Sequence, residues 1–236
     1  MGFERYESRF QAGEILAEEI KHKNEDLYDS IIRDPTRFFC FAIPNGGVPV
    51  VEGFCSKFNI GYDMLIVRKI KIPFNTEAGF GSVTTDGTVL INEDLLSHLN
   101  LSDKEVADSI ELTKTEIRER LKFYDKEVNL EKQYKQYIEG KCIFMIDDGL
   151  ASGFTMLAAI KMVKKYQPKK IYVAVPTSPL SSVQRVSPYI DDLFCPNVRN
   201  VWRFAVAEAY KRWYDASESE ILEIINSSKY YLKKQS

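Results

Sequence analysis

Residues 141–155 read KCIFMIDDGLASGFT, and their order sets the fold. Residues 142–146 form an unbroken apolar run with β-branched and aromatic members, the pattern of a strand buried on both faces. Asp147 and Asp148 stand where that strand ends. The small residues Gly149, Ala151, Ser152, Gly153 and Thr155 turn the chain into a segment whose apolar positions Phe154, Leu157, Ile160 and Val163 recur at helical spacing. A helix N-terminus offers unpaired N–H groups and the positive end of a dipole, which suits a phosphate. Small residues let the backbone approach it closely, and Ser152 and Thr155 add hydroxyl donors. Two adjacent carboxylates accept from vicinal hydroxyls or reach a metal through water. The whole stretch therefore describes a site for a phosphorylated sugar. A simple helix-capping turn would account for Asp-Asp-Gly alone, but not for the ordered run.

Working outward, residues 37–43 (RFFCFAI) are a strong strand, followed at once by Pro44-Asn45-Gly46-Gly47. Paired glycines let backbone N–H groups converge on an anion, although Asn-Gly-Gly also serves as a plain turn. A helix over 48–58 completes a second strand, loop and helix unit. Residues 62–67 read as the next strand. Arg68, Lys69 and Lys71 then place three cations where they could meet phosphates, or merely edge a solvated loop that runs on through Pro73, Asn75, Glu77, Gly79 and Gly81. Residues 83–85 and 88–91, joined by Asp86-Gly87, predict a hairpin with a two-residue turn. Ser102 or Asp103 caps a long helix with the stripe Val106, Ile110, Thr113, Ile117, Leu121 and Tyr124. Residues 126–140 read as a polar connector, 171–175 as a strand, 181–187 as a helix, and 191–195 as the last core strand. Toward the ends, 4–21 predicts a core-packing helix through Tyr6, Phe10, Gly13, Leu16, Ala17 and Ile20, and 24–36 a short helix before Pro35. The aromatic tail 196–215 is expected to place Trp202, Phe204, Tyr210, Trp213 and Tyr214 mostly in the core, and 218–231 to form a terminal amphipathic helix.

Strands alternating with helices imply an α/β fold, a parallel sheet with helices on both faces and ligand loops along one edge. The run 142–155 resembles the phosphoribosyl-pyrophosphate (PRPP) motif of type I phosphoribosyltransferases, with Ser152 at the first Thr of a Thr-Gly-x-Thr loop. The stretch RKIKIPFNTEAGFGSV is similar to an uncharacterised branch of that family, in which the loop before it reads Pro-Arg-Gly-Gly-Val-Pro-Val. Here Asn45 takes the arginine's position, which removes a cation and puts catalytic efficiency in question. The resemblance implies one domain over 1–236, with a core at 37–195 and a hood and C-terminal elaboration at 196–236. It also implies a transferase of nucleotide metabolism, a Mg²⁺-dependent glycosyltransferase (pentosyltransferase) moving 5-phosphoribosyl from PRPP to a nitrogenous base. Asp147 and Asp148 would hold the ribose hydroxyls and possible Mg²⁺ contacts, and Gly149, Ala151, Ser152, Gly153, Phe154 and Thr155 the 5-phosphate. Asn45, Gly46, Gly47, Arg68 and Lys69 would hold pyrophosphate, residues 70–82 would close over the substrates, and Phe194 or Trp202 would stack on the base. A PRPP- or nucleotide-binding regulator with little catalysis is the alternative that Asn45 favours. A receiver domain is disfavoured because its aspartate pair follows the first strand, and neither a Gly-Lys-Ser/Thr loop nor Gly-x-Gly-x-x-Gly is present.

The 236-residue length and the net charge of −2 suit one α/β domain and give no electrostatic case for nucleic-acid or membrane-surface binding. The apolar runs are too short for a membrane span, and the start carries no signal-peptide pattern. Cys40, Cys55, Cys142 and Cys195 are widely spaced and read as buried free thiols of a cytoplasmic protein. His22 and His98 read as surface residues. The family resemblance implies a homo-oligomer.

Overall fold

Both faces of each central strand are covered, which is why these runs are apolar without alternation. The computed structural model describes residues 3–126 and 130–232, the side chains of 76 and 77 excepted. Its elements in order are α1 (Arg9–Lys23), α2 (Glu25–Arg33), β1 (Phe38–Ala42), α3 (Gly47–Phe58), β2 (Tyr62–Met64), β3 (Val67–Ile72), β4 (Asn75–Thr84), β5 (Val89–Ile91) and α4 (Glu93–Leu96). There follow α5 (Asp103–Phe123), α6 (Leu130–Ile138), β6 (Cys142–Ile146), α7 (Phe154–Lys164), β7 (Lys170–Ala174), β8 (Thr177–Pro179), α8 (Leu180–Val186), β9 (Asp192–Phe194), β10 (Asn197–Arg199) and α9 (Glu218–Ser227).

The main sheet is five-stranded in the order β2-β1-β6-β7-β9, and every pairing in it is parallel. Phe38, Cys40, Phe144 and Tyr172 point to one layer, packed by α1, α2, α3, α5 and α9. Phe39, Phe41, Ile143 and Val173 point to the other, packed by α6, α7 and α8. This is the expected α/β sheet with helices on both faces. The C-terminal ends of β1, β6 and β7 therefore share one edge.

Two helices fix the approach to that edge. Gly13 of α1 lies so near α3 that a Cβ there would sit 1.9 Å from the Val50 carbonyl oxygen, and one on Gly53 would sit 2.0 Å from that of Phe10. This backbone contact sets the position of Arg9, one turn earlier. Helix α1 buries Ala12, Gly13, Leu16, Ala17 and Ile20 as its spacing demands, but Phe10 is half exposed. Tyr6 precedes the helix and pairs with Tyr210 instead. In α5, Ser102 and Glu105 form a reciprocal capping box that satisfies two backbone N–H groups at the helix start.

Four features depart from the expectation set by sequence. First, the strand expected over 62–67 breaks in two. Leu65 N–H donates to the Ala42 carbonyl, and the Thr85 hydroxyl group then takes both the N–H and the C=O of Ile66. That side chain satisfies the backbone where the chain leaves the main sheet. Residues 67–72 consequently form β3 of a separate antiparallel sheet, β3-β4-β5, and Arg68, Lys69 and Lys71 lie on a strand rather than in a loop. Second, the hairpin closes through three residues, because Thr84 N–H donates to the Thr88 carbonyl and Gly87 adopts φ +81°. Third, the connector contains α6, whose Tyr134 and Ile138 are buried; its residues 127–129 lie outside the described ones. Fourth, Tyr210 alone of the five tail aromatics is buried, while Trp202, Trp213 and Tyr214 are exposed. The four cysteines are free and buried, and both histidines are exposed. No described helix is long and apolar enough to cross a membrane.

Candidate active site

The loop after β1 and the acids after β6 meet at the sheet edge because their strands are neighbours in register. Ile43 N–H donates to the Ile146 carbonyl at 2.9 Å, which carries the ladder one step beyond the strands. Gly46 and Gly47 then pass directly over the acids. A Cβ on Gly46 would lie 1.9 Å from Asp148 Oδ2, and one on Gly47 would lie 2.8 Å from the Ile146 carbonyl oxygen. The peptide between Pro44 and Asn45 is cis. The Asn45 side chain donates to the Ala216 carbonyl at 2.7 Å and accepts from Arg120 at 2.9 Å.

Asp147 and Asp148 are each half-buried. Asp147 Oδ1 accepts the Asp148 N–H at 2.8 Å. Burial, with the neighbouring Asp148 charge adding to it, holds the Asp147 carboxyl well above the ordinary carboxylate range. Burial pushes Asp148 up as well, against the opposing pull of Arg9. The Arg9 Nε donates to Asp148 Oδ2 at 2.8 Å, and Nη1 donates to the Tyr214 carbonyl. The guanidinium carbon of Arg9 lies 4.2 Å from the Trp213 ring centroid, a cation–π contact. The Tyr210 hydroxyl donates to the Asp148 carbonyl, so the tail is tied over the acids at several points. Between these groups lies a cleft of about 340 Å³ lined by Arg9, Asn45, Gly46, Arg68, Asp148 and Trp213, among others.

The turn after the acids continues toward α7. Gly153 caps that helix at φ +79°, a left-handed conformation that favours glycine. No acid occupies the first turn of α7, so nothing there repels an anion. Ala151 and Ser152 are exposed and Thr155 half-buried. The Ser182 hydroxyl holds the Ala151 carbonyl at 2.5 Å, and Arg185 donates to the Ser152 carbonyl and stacks over the Phe154 ring.

Of the residues picked out from sequence, Asn45, Gly46, Arg68 and Asp148 line one cleft, and Gly47 and Asp147 sit against it. Lys69 is not among the residues lining that cleft. Strand alternation turns it to the other face of β3, where its side chain covers Gly79. Phe194 is fully enclosed by Phe144 and Tyr172 and offers no ring face to a ligand, which corrects its expected stacking role. Trp202 is 99% exposed on the segment after β10. Arg9, Arg120, Arg185 and Trp213 were missed. Arg9 alone left a signal, as a charged residue in phase with the buried stripe Ala12, Gly13, Leu16 and Ile20.

Two adjacent carboxylates form too small a donor set to cage a metal alone, and no cluster of three or more such ligands occurs among the described residues. The pair does fit a Mg²⁺ ion bound chiefly through phosphate oxygens of a ligand, since such ions take only one or two carboxylates.

A doubly covered parallel sheet, with acids and a glycine loop converging at its carboxyl edge, defines an α/β protein of phosphoribosyltransferase type. The phosphoribosyl transferase domain model matches residues 9–209, and the chain belongs to that family. It is 28% identical over 192 residues to a provisionally named phosphoribosyl transferase of Mycobacterium tuberculosis, matched in two strains. The match covers 78% of this chain, which spans only 40% of the length of those relatives. The crystal structure of TT1426 from Thermus thermophilus shares the fold, at a TM-score of 0.67 and 21% identity over 94% of this chain and 97% of that one.

Proposed function

We propose that the chain transfers 5-phosphoribosyl from PRPP to a nitrogenous base and releases pyrophosphate, with Mg²⁺. The base nitrogen bonds to C1 of the ribose as the bond from C1 to the pyrophosphate oxygen breaks. One observation carries this reading: the glycine loop lies in van der Waals contact with Asp147 and Asp148, and the phosphate turn follows directly from those acids. A single ligand bearing a diphosphate, a diol and a monophosphate would span that order.

Residues 149 and 151–155 hold the 5-phosphate through N–H groups and the hydroxyls of Ser152 and Thr155. The acids accept the ribose hydroxyls, and their charge opposes the positive charge that develops at C1. Gly46 presents its N–H to pyrophosphate with Arg68 beside it, while the Gly47 N–H is given to the Ile43 carbonyl and Gly47 serves by letting the loop pass close over the acids. When bound, Mg²⁺ neutralises charge on the departing diphosphate. The ribbon β3–β4 is the segment proposed to move over the substrates and exclude water. Trp213, at the cleft, takes the base-side role in place of Phe194. Homo-oligomerisation and a cytoplasmic location belong to the same reading.

Regulatory binding of PRPP with little turnover is the second reading. The ion pair that ties Asp148 to Arg9 favours it, because that carboxylate is already partnered. Incubating the protein with PRPP, Mg²⁺ and a panel of purine, pyrimidine and other bases, and following pyrophosphate release, separates the two. Base-dependent release supports transfer, and tight PRPP binding without release for any base supports regulation.

A further inference from the structure

Arg120 leaves α5 beside the buried positions Ile117 and Leu121 and ends at the glycine loop, 75 residues away in sequence. Its Nη1 donates to Asn45 Oδ1 at 2.9 Å, and its Nη2 lies 2.8 Å from Glu218 Oε1. Arg120 and Arg68 both line the cleft that contains Asp148. They also line an adjoining cavity of about 390 Å³ bounded by Glu116, Glu119, Phe123 and Glu218. Arg120 thus stands on the boundary between the two, against the loop proposed to hold the leaving diphosphate.

Asn45 contributes dipoles but no charge, so a polyanion at Gly46 and Gly47 needs cations from elsewhere in the chain. Arg9 is committed to Asp148 and Trp213. The Arg120 side chain is 19% exposed and its partner Glu218 is 38% exposed. A carboxylate so open to water holds its partner weakly. A phosphate group offers the guanidinium fork a bidentate, charge-assisted replacement. Glu218 is the first residue of α9, where Ser217 caps the helix and the dipole stabilises an acid, so its carboxylate can be released to solvent without disturbing the helix.

We propose that Arg120 is a second side-chain cation of the pyrophosphate subsite, beside Arg68, and that Glu218 holds it as a stand-in anion until a diphosphate arrives. The inference rests on the phosphoribosyl-transfer reading and deepens it by naming a cation that the loop lacks. Binding exchanges one anion for another on the same guanidinium, so the two residues act with opposite signs. Removing Arg120 weakens diphosphate binding, and removing the Glu218 charge strengthens it.

The test measures inorganic pyrophosphate, in the presence of MgCl₂, and ribose 5-phosphate separately by titration calorimetry, on wild type, Arg120→Gln, Arg120→Lys and Glu218→Gln. Pyrophosphate affinity is expected to fall at least about tenfold in Arg120→Gln, to recover partly in Arg120→Lys, and to rise several-fold in Glu218→Gln. Ribose 5-phosphate affinity is expected to stay within about twofold throughout, which also shows that each variant is folded. Pyrophosphate affinity unchanged in Arg120→Gln, or lowered in Glu218→Gln, with ribose 5-phosphate still bound, overturns the role of Arg120 and leaves the transfer reading standing. Failure of wild type to bind ribose 5-phosphate overturns the transfer reading itself.

Discussion

Arg9 and Asp148, 139 residues apart, form an ion pair at 2.8 Å in which the arginine side chain is 6% and the aspartate 15% exposed. The first helix thereby closes onto the acids that follow β6, and the aromatic tail is held against the pair, by Trp213 and Tyr214 on Arg9 and by Tyr210 on the Asp148 carbonyl. Arg9→Met leaves the carboxylate without its partner. The expected loss is about 2–3 kcal/mol, read as a lower urea midpoint at unchanged m value. Arg9→Lys restores the charge but neither the second donated bond nor the stacking on Trp213, so it recovers only part of the loss. Equal midpoints for Arg9→Met and wild type would show the pair to be energetically idle.

The raised Asp147 carboxyl makes stability depend on pH. Its folded-state pKa lies above the unfolded value, so the native state holds more protons between the two. Stability therefore falls as pH rises through that window, and a charged Asp147 destabilises the fold at neutral pH. Asp147→Asn is expected to raise Tm at pH 7.5 by at least about 2 °C, the shift that ~1 kcal/mol gives at this size. The gain should shrink toward pH 4. A lower Tm at neutral pH would show that the carboxylate is instead stabilised by its surroundings. The same substitution is expected to weaken PRPP binding, the familiar opposition of stability and function at a site.

Gly46 and Gly87 offer a contrast between contact and conformation. A methyl group at Gly46 would lie 1.9 Å from Asp148 Oδ2, whereas at Gly87 nothing lies within 4 Å of the added carbon. Gly46→Ala forces the acid or the loop aside, costing about 1–3 kcal/mol, and is expected to reduce PRPP affinity at least about tenfold. Gly87→Ala meets only the strain of φ +81°, about 1 kcal/mol, and leaves affinity unchanged. Thermal melts and calorimetric titrations of the two variants side by side check this; equal affinities would detach the glycine loop from ligand binding.

Away from the site, Lys126 is ion-paired to Asp63, with 8% and 2% of the two side chains exposed. Lys126→Met leaves a buried carboxylate unpaired and is expected to cost about 3 kcal/mol or more. Asp63→Asn combined with Lys126→Met is expected to recover most of that loss, since both charges are then gone. A double variant no more stable than the single one in guanidinium titrations would contradict this.

The sheet was legible because residues 38–42, 142–146 and 170–174 are short runs dominated by apolar residues, a pattern that a strand covered on both faces requires. Its loops converge through topology alone, so Gly46 beside Asp148 needed no side-chain knowledge. The break at Leu65–Ile66 was not legible, because it depends on a Thr85 hydroxyl group nineteen residues later. Nor could the cations be counted correctly from the run at 68–71. Strand alternation sends Arg68 toward the cleft and Lys69 away, and Lys71 pairs with Glu116. Arg9 and Arg120 arrive from helices whose exposed and buried faces the sequence describes but whose partners it does not. Aromatic residues misled in both directions. Phe194 packs where a strand residue should, and Trp213 stays at the cleft because a guanidinium, not the core, receives it.

The decisive measurement is a calorimetric titration of PRPP with MgCl₂ into the wild-type protein and into the double variant Asp147→Asn, Asp148→Asn. Saturable binding by wild type and at least about a tenfold loss in the double variant, with an unchanged circular dichroism spectrum, are expected if these acids carry the sugar. Equal affinity for PRPP in both proteins would contradict that role.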